Sequence, residues 1–513
     1  MAMSQAALLQ HTPLFTLLVT LTVAVIVYKV FSSLVLHPLA KFPGPKYAAI
    51  THYYQFYYDV LKRGRFPWEL RRLHQVYGPI VRIGPNEVHV SDPNFYDELY
   101  TTASRKRHRD PFAVQGFGLP DAVLNSPDHD VHRLRRAALN PYFSKQAISR
   151  IEPVVKAKLE ILCGRLLEFS KSKVPVDLEK AFMALTTDII TEYSFARSYD
   201  YLKHHDFLPD WLKATIGATE ASMLGRYLPF LPAVMKGMPP WLVQILSPPM
   251  VQLVNYTKAQ EKQVQDIKNG QLLDDMKQGQ RTIIHELFES SLPESEKSVE
   301  RIAQEAQTLV AAGSTTTSYF LKSAVYFILA NPDVLARLRA ELYEAIPDPK
   351  NPPPSHTLEQ LPLLAAVVKE TSRLVPGAFC RLGRIAPNED LKCGAWTIPA
   401  GTIISMSTWM QHNDPSIFPE PEAFRPERWM NRSAEGGRLE RYLVSFSKGS
   451  RGCLGINLAQ VEMHLTLAVL FRTFDFELFE TDGSDVELAH EFFVPISRLD
   501  SKGTRVLVST VDD

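Results

Sequence analysis

The chain has 513 residues, of which 45% are hydrophobic and 22% charged, a composition typical of a large globular protein with a sizeable core. It carries 56 basic and 56 acidic residues, and this net charge of zero argues against a nucleic-acid-binding protein. The four cysteines form neither a CxxC pair nor a zinc-type spacing, which argues against a disulfide framework and indicates reduced thiols in a cytosol-facing domain.

The amino terminus contains a long apolar segment, residues 14–36, which has about the ~20 residues needed to cross a bilayer. A cleavable signal peptide needs a basic start and a small-residue cleavage site. Residues 1–13 contain no Lys or Arg, whereas Lys29, Lys41 and Lys46 lie towards and beyond the end of the segment. The positive-inside rule therefore favours an uncleaved transmembrane anchor over 14–36, with 1–13 as a short lumenal N-terminus and the body in the cytosol.

A stiff turn is predicted after the anchor, because Phe42-Pro-Gly-Pro45 places two prolines around a glycine. We interpret residues 37–46 as a Pro/Gly hinge and residues 47–513 as one folded body.

The first part of the body mixes helices with a hairpin. A helix is predicted over 67–77, ending at Gly78, and strands over 80–83 and 87–90 flank the turn Gly84-Pro85-Asn86. Residues 101–128 show little periodicity and are predicted to be loop. Helical patterns follow at 129–143, 146–170, 176–196 and 255–278.

Residues 223–250 are apolar, carry few charges and are rich in proline and aromatic residues from Tyr227 onwards. Such a segment suits either the protein core or a membrane surface beside the anchor, and the sequence leaves both interpretations open.

The second part of the chain is again mostly helical. One long helix is predicted over 296–331, stopped by Pro332. Further patterns predict helices at 333–346, 358–374 and 455–474, short strands within 381–408, irregular proline- and arginine-rich chain at 414–452, and a strand-like tail. The predicted fold class is therefore mainly α with small β-sheets.

Cys453 has the most informative surroundings in the chain, although a lone cysteine is usually a small buried hydrophobe. It lies between two glycines in the run FSKGSRGCLG, residues 446–455, just before the predicted last helix. Glycine lets the backbone approach a flat ligand. A helix N-terminus favours a thiolate, and a hydrogen-bonded thiolate can be an axial ligand of haem iron.

Every fixed position of Phe-x-x-Gly-x-Arg-x-Cys-x-Gly is filled, and the run resembles the haem-binding loop of the cytochrome P450 family. The resemblance extends over essentially the full chain. It implies a cytochrome P450 fold preceded by a single N-terminal transmembrane helix, with 47–513 as the haem-thiolate catalytic domain. It makes Cys453 the iron ligand and assigns haem-loop positions to Phe446, Gly449, Arg451 and Gly455.

Glu370-Thr-Ser-Arg373 places an acid and a base three residues apart on one helix face. ExxR alone usually means an exposed ion pair. Here FRPERW, with Arg428, follows some fifty residues later, and this order resembles the glutamate–arginine–arginine network of the family. The resemblance implies that Glu370, Arg373 and Arg428 fold the segment that presents Cys453, without taking part in the chemistry.

The run Ala312-Gly-Ser-Thr-Thr316-Thr lies in the middle of the long helix, although glycine and threonines are poor helix formers. It is either a tolerated weak spot or a break in the hydrogen-bond ladder where a hydroxyl and water can enter. The family pattern implies that Thr316 assists oxygen activation and proton delivery, and Ala312 shares its face towards the haem.

One position departs from that family pattern, because Thr315 stands where an acid is usual. Water, Ser314 or Glu305 are the alternatives for the proton route, and the sequence does not choose between them.

A basic cluster opens the 129–143 helix, where a basic face is normally only solvated. The resemblance places His132 at a position usually held by tryptophan and Arg136 at the family's propionate-binding arginine. Arg384 and Arg451 are the other implied propionate partners. Lys448 and the remaining arginines of the helix are candidates for docking an acidic electron donor.

Taken together, the resemblance implies a haem-thiolate monooxygenase in the endoplasmic reticulum membrane. It would use O2 and electrons from NADPH through an NADPH–cytochrome P450 reductase. The segment 57–100 is similar to the fungal trichodiene-oxygenase-like group, which suggests a terpenoid or other secondary metabolite as substrate. The implied pocket comes from the 101–128 loop, the 223–250 region, Ala312, Thr316, Ala378, Phe379, Phe493 and Val494. The last of these segments are apolar, which fits a lipophilic substrate.

Two alternatives remain at this stage. A haem-thiolate isomerase, dehydratase or reductase would need no oxygen activation, and the missing acid at Thr315 leaves it open. A non-enzymatic haem sensor or carrier is the second, although no output domain is recognisable beside the single body.

Overall fold

A computed structural model describes residues 2–246, 248–271, 282–377, 381–430 and 439–511. Its helices are α1 Ala2–Phe31, α2 Lys46–Ile50, α3 Tyr53–Phe56, α4 Phe66–Tyr77, α5 Tyr96–Leu99, α6 Pro111–Val114, α7 His129–Leu139, α8 Lys145–Ser172, α9 Leu178–Phe195, α10 Pro209–Tyr227, α11 Leu231–Gly237, α12 Pro240–Leu246, α13 Pro248–Lys268, α14 Ile283–Glu289, α15 Val299–Leu329, α16 Pro332–Ala345, α17 Ser355–Leu358, α18 Pro362–Leu374, α19 Thr408–His412 and α20 Ile456–Thr473.

The strands are short and form small sheets at the edge of the helical body. They are β1 Ile80–Gly84, β2 Glu87–Val90, β3 His108–Arg109, β4 Val176–Asp177, β5 Arg384–Ile385, β6 Leu391–Cys393, β7 Trp396–Ile398, β8 Ile403–Ser405, β9 Phe474–Leu478, β10 His490–Phe492, β11 Val494–Ile496 and β12 Arg505–Thr510. The largest sheet has the order β1-β2-β8-β5-β3, and β4-β12-β9 form a second. Within the first sheet only β2 and β8 are parallel. The predicted class, mainly α with small sheets, is confirmed.

The main hydrophobic core lies where the long helix α15 packs against α9, α18 and α20. Gly313 permits the closest part of this packing, because a Cβ there would lie 2.8 Å from Cγ1 of Ile190 on α9. α15 is continuous from Val299 to Leu329. The glycine in the predicted weak spot therefore has a packing function, and the helix is not interrupted there.

Prolines explain the main differences from the predicted elements. The 223–250 region is divided among the end of α10, all of α11 and α12 and the start of α13, and prolines lie in the first turn of each of these four helices, where a missing N–H costs nothing. In the same way Pro362 starts α18 and separates it from α17 within the predicted helix 358–374. The predicted loop 101–128 contains β3, α6 and two 3₁₀ turns, Gln115–Phe117 and Val123–Asn125.

The apolar N-terminal segment is helical, and Phe15–Leu36 is long and apolar enough to cross a membrane, with none of its most apolar window buried against the body. Within the described residues it is the one helix that meets this test. This helix is compatible with the predicted membrane anchor.

The predicted hinge, residues 37–46, is packed against the body. Leu39 and Phe42 are buried, and the Phe42 ring stacks on Trp396 with ring centroids 5.0 Å apart. Gly44 lies against the backbone of Arg82, where an added Cβ would be 2.3 Å from the carbonyl oxygen. The Arg82 guanidinium in turn donates to the carbonyl of Ser33 at the end of the apolar segment, at 2.9 Å. The segment therefore joins the apolar helix to the sheet through fixed contacts.

Candidate active site

The loop that carries Cys453 is held by backbone contacts before α20 begins. The Cys453 N–H donates to the carbonyl of Phe446 at 2.8 Å, and the Ser450 N–H donates to the carbonyl of Thr101 at 3.1 Å. Gly449 has φ +72°, and a Cβ there would lie 2.1 Å from the oxygen of Thr101. Glycine at 449 is therefore required by both the dihedral angle and the close contact.

Two opposing effects act on the pKa of the Cys453 thiol. The side chain is exposed, yet the protein atoms around the sulfur desolvate it and raise the pKa of the thiol. The Gly455 N–H, which donates to the sulfur, and the charge of Arg136 act in the opposite direction and favour the anion. Gly455 precedes the first residue of α20, so the helix N-terminus supplies the donor. Iron binding requires the thiolate, and these two groups stabilise it.

Glu370 and Arg373, one turn apart on α18, are both fully buried and form a bidentate ion pair, with N–O distances of 2.8 and 3.0 Å. Arg428 donates to the same carboxylate at 3.0 Å. Arg373 also donates to the carbonyls of His412 and Pro421, at 2.9 and 2.6 Å. The three residues that were grouped on sequence order thus lie in direct contact and tie α18 to the irregular chain before the Cys453 loop.

Two residues of this network were missed by the sequence reasoning. The indole N–H of Trp429 donates to the second oxygen of Glu370 at 2.8 Å. His412 Nδ1 lies 3.0 Å from the carbonyl of Arg373, while its Nε2 accepts the Val444 N–H at 2.9 Å. Trp429 was readable as the neighbour of Arg428, but the sequence carries no signal that brings His412 to Arg373.

A cluster of arginine side chains surrounds His132 near the Cys453 loop. His132 on α7 is buried, and burial together with the charges of Arg451, Arg136, Arg384 and Arg109 lowers its pKa to about 2. Burial, with repulsion from Arg384 and Arg109, lowers the pKa of Arg451 to about 8. The four residues predicted for propionate binding are therefore close enough to interact electrostatically.

Arg109 is a further member that the sequence reasoning did not find. It lies directly opposite Arg384 where β3 pairs with β5. Like charges opposite each other across a strand pair are destabilising unless an anion offsets them. The only signal in the sequence was a basic residue within a predicted loop.

The cluster fits a flat ligand that carries two carboxylates, such as haem. The Nε of Arg451 is buried and has no hydrogen-bond partner among the residues that the structure describes. The other guanidinium nitrogens of Arg451 donate to the carbonyls of Ser126, Pro127 and Asp128, which aims the side chain at the start of α7. Guanidinium groups are the preferred donors to carboxylates, and the nearby Cys453 has a sulfur of the kind that ligates haem iron.

Thr316 lies in mid-α15 with its hydroxyl donating to the carbonyl of Ala312 at 2.9 Å, and both residues are outside the buried set. Gly377, just after α18, packs close to Thr316, since an added Cβ would be 3.4 Å from the threonine Cβ. Of the two alternatives for this run, a break in the ladder is not borne out, because the helix is continuous here and the Thr316 hydroxyl bonds the carbonyl four residues earlier, a contact that often bends helices.

The alternatives for the proton route lie in different environments. Glu305 is buried, accepts the Val123 N–H at 3.0 Å and pairs with Arg301 at 3.2 Å, eleven residues and about 16 Å along the helix from Thr316. Ser314 is buried and donates to the carbonyl of Val310 at 2.8 Å. The hydroxyl of Thr315 is buried, and no described residue forms a hydrogen bond with it. Glu305 and Ser314, two of the three alternatives, are thus both held by structural contacts.

The pocket residues are only partly described. Phe493, with φ +71°, forms the turn between β10 and β11, and its ring meets Phe117 edge-on at 4.9 Å. This brings the predicted loop 101–128 to the predicted pocket position Phe493, and Val494 packs beside it in a cluster with Met223 of α10. The predictions for Ala378 and Phe379 lie outside the described residues.

The proposed docking charges are fewer than the sequence suggests. Arg135 of α7 is buried and paired with Glu296 at 2.7 Å, so it is not part of a docking face. Lys448 pairs with Asp97 at 2.7 Å. Arg133 is exposed and remains a candidate.

Comparison with known proteins adds a family match. Residues 43–501 match the family model described as "Cytochrome P450". Among curated proteins, the chain is 41% identical over 501 residues to the cytochrome P450 monooxygenase tpcC of Cochliobolus heterostrophus, covering 94% of each chain. It is 41% identical over 471 residues to the tryptophan 6-hydroxylase fscE of Fusarium equiseti, covering 92% of each. It is 39% identical over 460 residues to the cytochrome P450 monooxygenase TRI4 of Trichoderma arundinaceum, covering 90% of this chain and 89% of that protein.

Proposed function

We propose the substrate class, electron donor, site residues and membrane location of this chain, which belongs to the cytochrome P450 family and is therefore a haem-thiolate oxidoreductase of the monooxygenase type. It inserts one oxygen atom from O2 into a lipophilic secondary metabolite and receives electrons from NADPH through an NADPH–cytochrome P450 reductase. Terpenoids are the first substrate class, as the likeness to the trichodiene-oxygenase-like group suggests. Tryptophan-derived metabolites are the second, because one relative is a tryptophan 6-hydroxylase.

One observation carries the site assignment: a cysteine sulfur with a stabilising N–H donor and a cluster of buried and half-buried arginines occur together around one loop. In this proposal Cys453 ligates the iron, and His132, Arg136, Arg384, Arg451 and Arg109 hold the propionates. Haem, when bound, supplies the oxygen chemistry, while the protein positions it and tunes it. The Gly455 N–H stabilises the charge of the sulfur, and Glu370 with Arg373 and Arg428 keeps the loop in place.

Thr316 is the proposed proton-handling residue. Its hydroxyl donates to Ala312 and keeps its own oxygen lone pairs available as acceptors on the face of α15 outside the buried core. Water is the proposed proton carrier, because Glu305 and Ser314 are held by other contacts. Thr316 would then orient that water next to the reacting oxygen.

The protein is proposed to be a single-pass protein of the endoplasmic reticulum membrane, with α1 in the bilayer and the body in the cytosol. Five large hydrophobic side chains in the described part of the 223–250 region are exposed, and the three most exposed are Phe230 at 60%, Trp241 at 64% and Ile245 at 71%. These favour contact of this region with the membrane surface, where aromatic residues are enriched. In nanodiscs containing brominated lipids, quenching of tryptophan fluorescence should decrease in Trp241→Phe and stay unchanged in Trp211→Phe, whose ring is buried. Equal quenching in Trp241→Phe and wild type would contradict the contact.

The reaction class is tested with microsomes that contain the protein and a reductase, supplied with terpenoid and tryptophan-derived compounds under labelled O2. The proposal predicts products that carry one labelled oxygen and form only with NADPH. Products that form without NADPH and without label would instead support the isomerase alternative. The ferrous–CO spectrum, recorded in parallel, shows whether a thiolate-ligated haem is intact in the preparation used.

A further inference from the structure

A buried group of charges lies away from the haem-loop residues, at the junction of the segments proposed to form the substrate pocket. We call it the Asp59 junction and define it as Asp59, Tyr227, Arg381 and Glu491. Asp59 lies in the π turn Tyr57–Leu61 and is 1% exposed. A charge so deeply buried is costly unless other groups compensate it, and replacing such a group by apolar residues is often neutral or stabilising.

The Asp59 carboxylate binds groups from two other segments through a single oxygen. The hydroxyl of Tyr227, the last residue of α10, donates to Oδ2 at 2.9 Å. Arg381, between α18 and β5, donates to the same oxygen at 3.2 Å, and its guanidinium lies 4.2 Å from the centre of the Phe66 ring. Asp59 therefore connects the end of α10 to the chain that follows α18.

The same turn is also attached to the hairpin β10–β11. The Glu491 N–H donates to the carbonyl of Gly64 at 3.0 Å, and a Cβ at Gly64 would lie 2.3 Å from the Glu491 oxygen. Val60, beside Asp59, packs against a cluster that contains Met223 of α10 and Val494 of the hairpin. The segment from 57 to 64 is thus a common support for α10 and for the hairpin.

In the described residues, several buried polar atoms of the Asp59 junction lack the hydrogen bonds that a purely structural salt bridge would make. In the described part of the chain, Asp59 Oδ1, Arg381 Nη1 and both carboxylate oxygens of Glu491 are buried without a hydrogen-bond partner. Retaining these groups costs stability. A role in fixing the geometry of the neighbouring pocket explains their presence better than a contribution to stability does.

We propose that Asp59 is a positioning residue for the substrate pocket, which holds Tyr227 and Arg381 at one point and so fixes α10 against the hairpin that carries Phe493 and Val494. This inference rests on the proposed function, since these segments are pocket walls only in that proposal. It assigns to Asp59 an effect on the fit of bulky ligands and none on the iron or its thiolate.

The test compares two probes of the haem-loaded full-length protein in detergent or nanodiscs. Imidazole binds iron and touches little else, whereas 1-dodecylimidazole binds iron and extends its chain along the pocket walls. Tyr227→Phe removes only the hydroxyl and keeps the edge contacts of the ring with Phe56 and Phe112. The matched control is Tyr193→Phe, which removes a hydroxyl that donates to the Tyr142 carbonyl, on α9 and away from the junction.

Spectral titration should give a dissociation constant for 1-dodecylimidazole about three- to tenfold higher in Tyr227→Phe than in wild type, with imidazole binding unchanged. Asp59→Asn should act in the same direction, and the double variant should be no weaker than the more affected single variant, because both remove one contact. Tyr193→Phe should bind both probes like wild type.

Unchanged 1-dodecylimidazole binding in a haem-replete Tyr227→Phe, or equal weakening of both probes, would overturn the inference. Because Tyr227→Phe is a minimal change, it keeps the test decisive even if Asp59→Asn fails to fold. Failure of the proposed function is distinguishable, since the wild-type protein would then lack a thiolate-type ferrous–CO spectrum.

Discussion

At the scale of single residues, the environment of Glu370 explains how a fully buried charge is tolerated. Its two oxygens accept hydrogen bonds from Arg373, Arg428, the Trp429 indole and the Arg425 backbone N–H. Removing one partner from such a network leaves the carboxylate under-compensated, which is where the cost of a buried ion pair arises. The network can therefore be probed one hydrogen bond at a time.

Replacing Trp429 by Phe should remove one hydrogen bond to Glu370 while keeping an aromatic ring against Phe418. Hydrogen bonds to charged groups contribute about 1.5–3 kcal/mol, so Trp429→Phe should lower the free energy of unfolding by about that amount. Urea unfolding of the haem-loaded protein, followed by the Soret band, measures it. Trp241→Phe, at an exposed site, is the control and should unfold like wild type; equal midpoints for Trp429→Phe and wild type would show that the bond contributes nothing.

His412 predicts a specific acid sensitivity. Burial, together with the charge of Arg373, lowers the pKa of His412 from 6.5 to about 3. The unfolded chain binds a proton near pH 6.5, whereas the folded chain does so only near pH 3, so stability is fully present above pH 6.5 and declines as the pH falls towards 3. The decline from this group is about 1.4 kcal/mol per pH unit.

His412→Gln can keep a donor to Arg373 and an acceptor for Val444 without titrating. The slope of its free energy of unfolding against pH should therefore be smaller than that of wild type by the contribution of one proton. Unfolding free energies measured between pH 7 and pH 5 would show the smaller slope. His204→Gln, at an exposed position, should keep the wild-type slope. A slope for His412→Gln equal to that of wild type would mean that protonation of His412 does not limit stability in acid.

At the scale of elements, the helices and the first hairpin were predictable because their periodicity and their proline and glycine boundaries are local. The helix over 67–77, the hairpin 80–90 and the last helix differ from α4, β1–β2 and α20 by one residue or little more at each end. The sequence did not predict four separate helices in the 223–250 region, because an apolar segment with repeated prolines has no single period. Arg109 was missed because its partner Arg384 is 275 positions away and only pairing of β3 with β5 brings them together.

Two glycines with positive φ, Gly449 in the Cys453 loop and Gly394 between β6 and β7, differ in their surroundings and give a prediction about the loop. An added Cβ at Gly449 would lie 2.1 Å from the Thr101 oxygen, whereas one at Gly394, with φ +54°, would have no atom of the described residues within 4 Å. Gly394→Ala should cost only about 1–2 kcal/mol of backbone strain and retain haem. Gly449→Ala adds a clash with backbone and should give protein with most of its haem lost.

Haem content per polypeptide, from the pyridine haemochrome assay, measures both variants. Normal haem content in Gly449→Ala would show that the loop can shift away from Thr101 without losing the cofactor. Loss of haem in both variants would show that backbone strain alone, rather than the contact, decides the outcome.

At the scale of the whole molecule, the family, the fold class and the apolar N-terminal helix follow from the sequence, and the family match over residues 43–501 agrees. What the sequence could not supply is the set of contacts between distant segments. Asp59, Tyr227, Arg381 and Glu491 carry no motif and span more than 430 positions, yet they meet in one buried junction. Substrate choice depends on such contacts, which is why the substrate class stays a proposal.

The central claim is that Cys453 is the thiolate ligand of a haem. The most direct test is the ferrous–CO difference spectrum of wild type, Cys453→Ser, Cys163→Ser and Cys393→Ser, each prepared as the full chain in membranes. Burial and a nearby carboxylate, Glu160 or Asp92, raise the pKa of Cys163 to about 12 and that of Cys393 to about 11, whereas at Cys453 the Gly455 N–H and the Arg136 charge act against burial and favour the thiolate. We expect the thiolate-type band in wild type and in both control variants and its loss in Cys453→Ser alone. A thiolate-type band that persists in Cys453→Ser would contradict it.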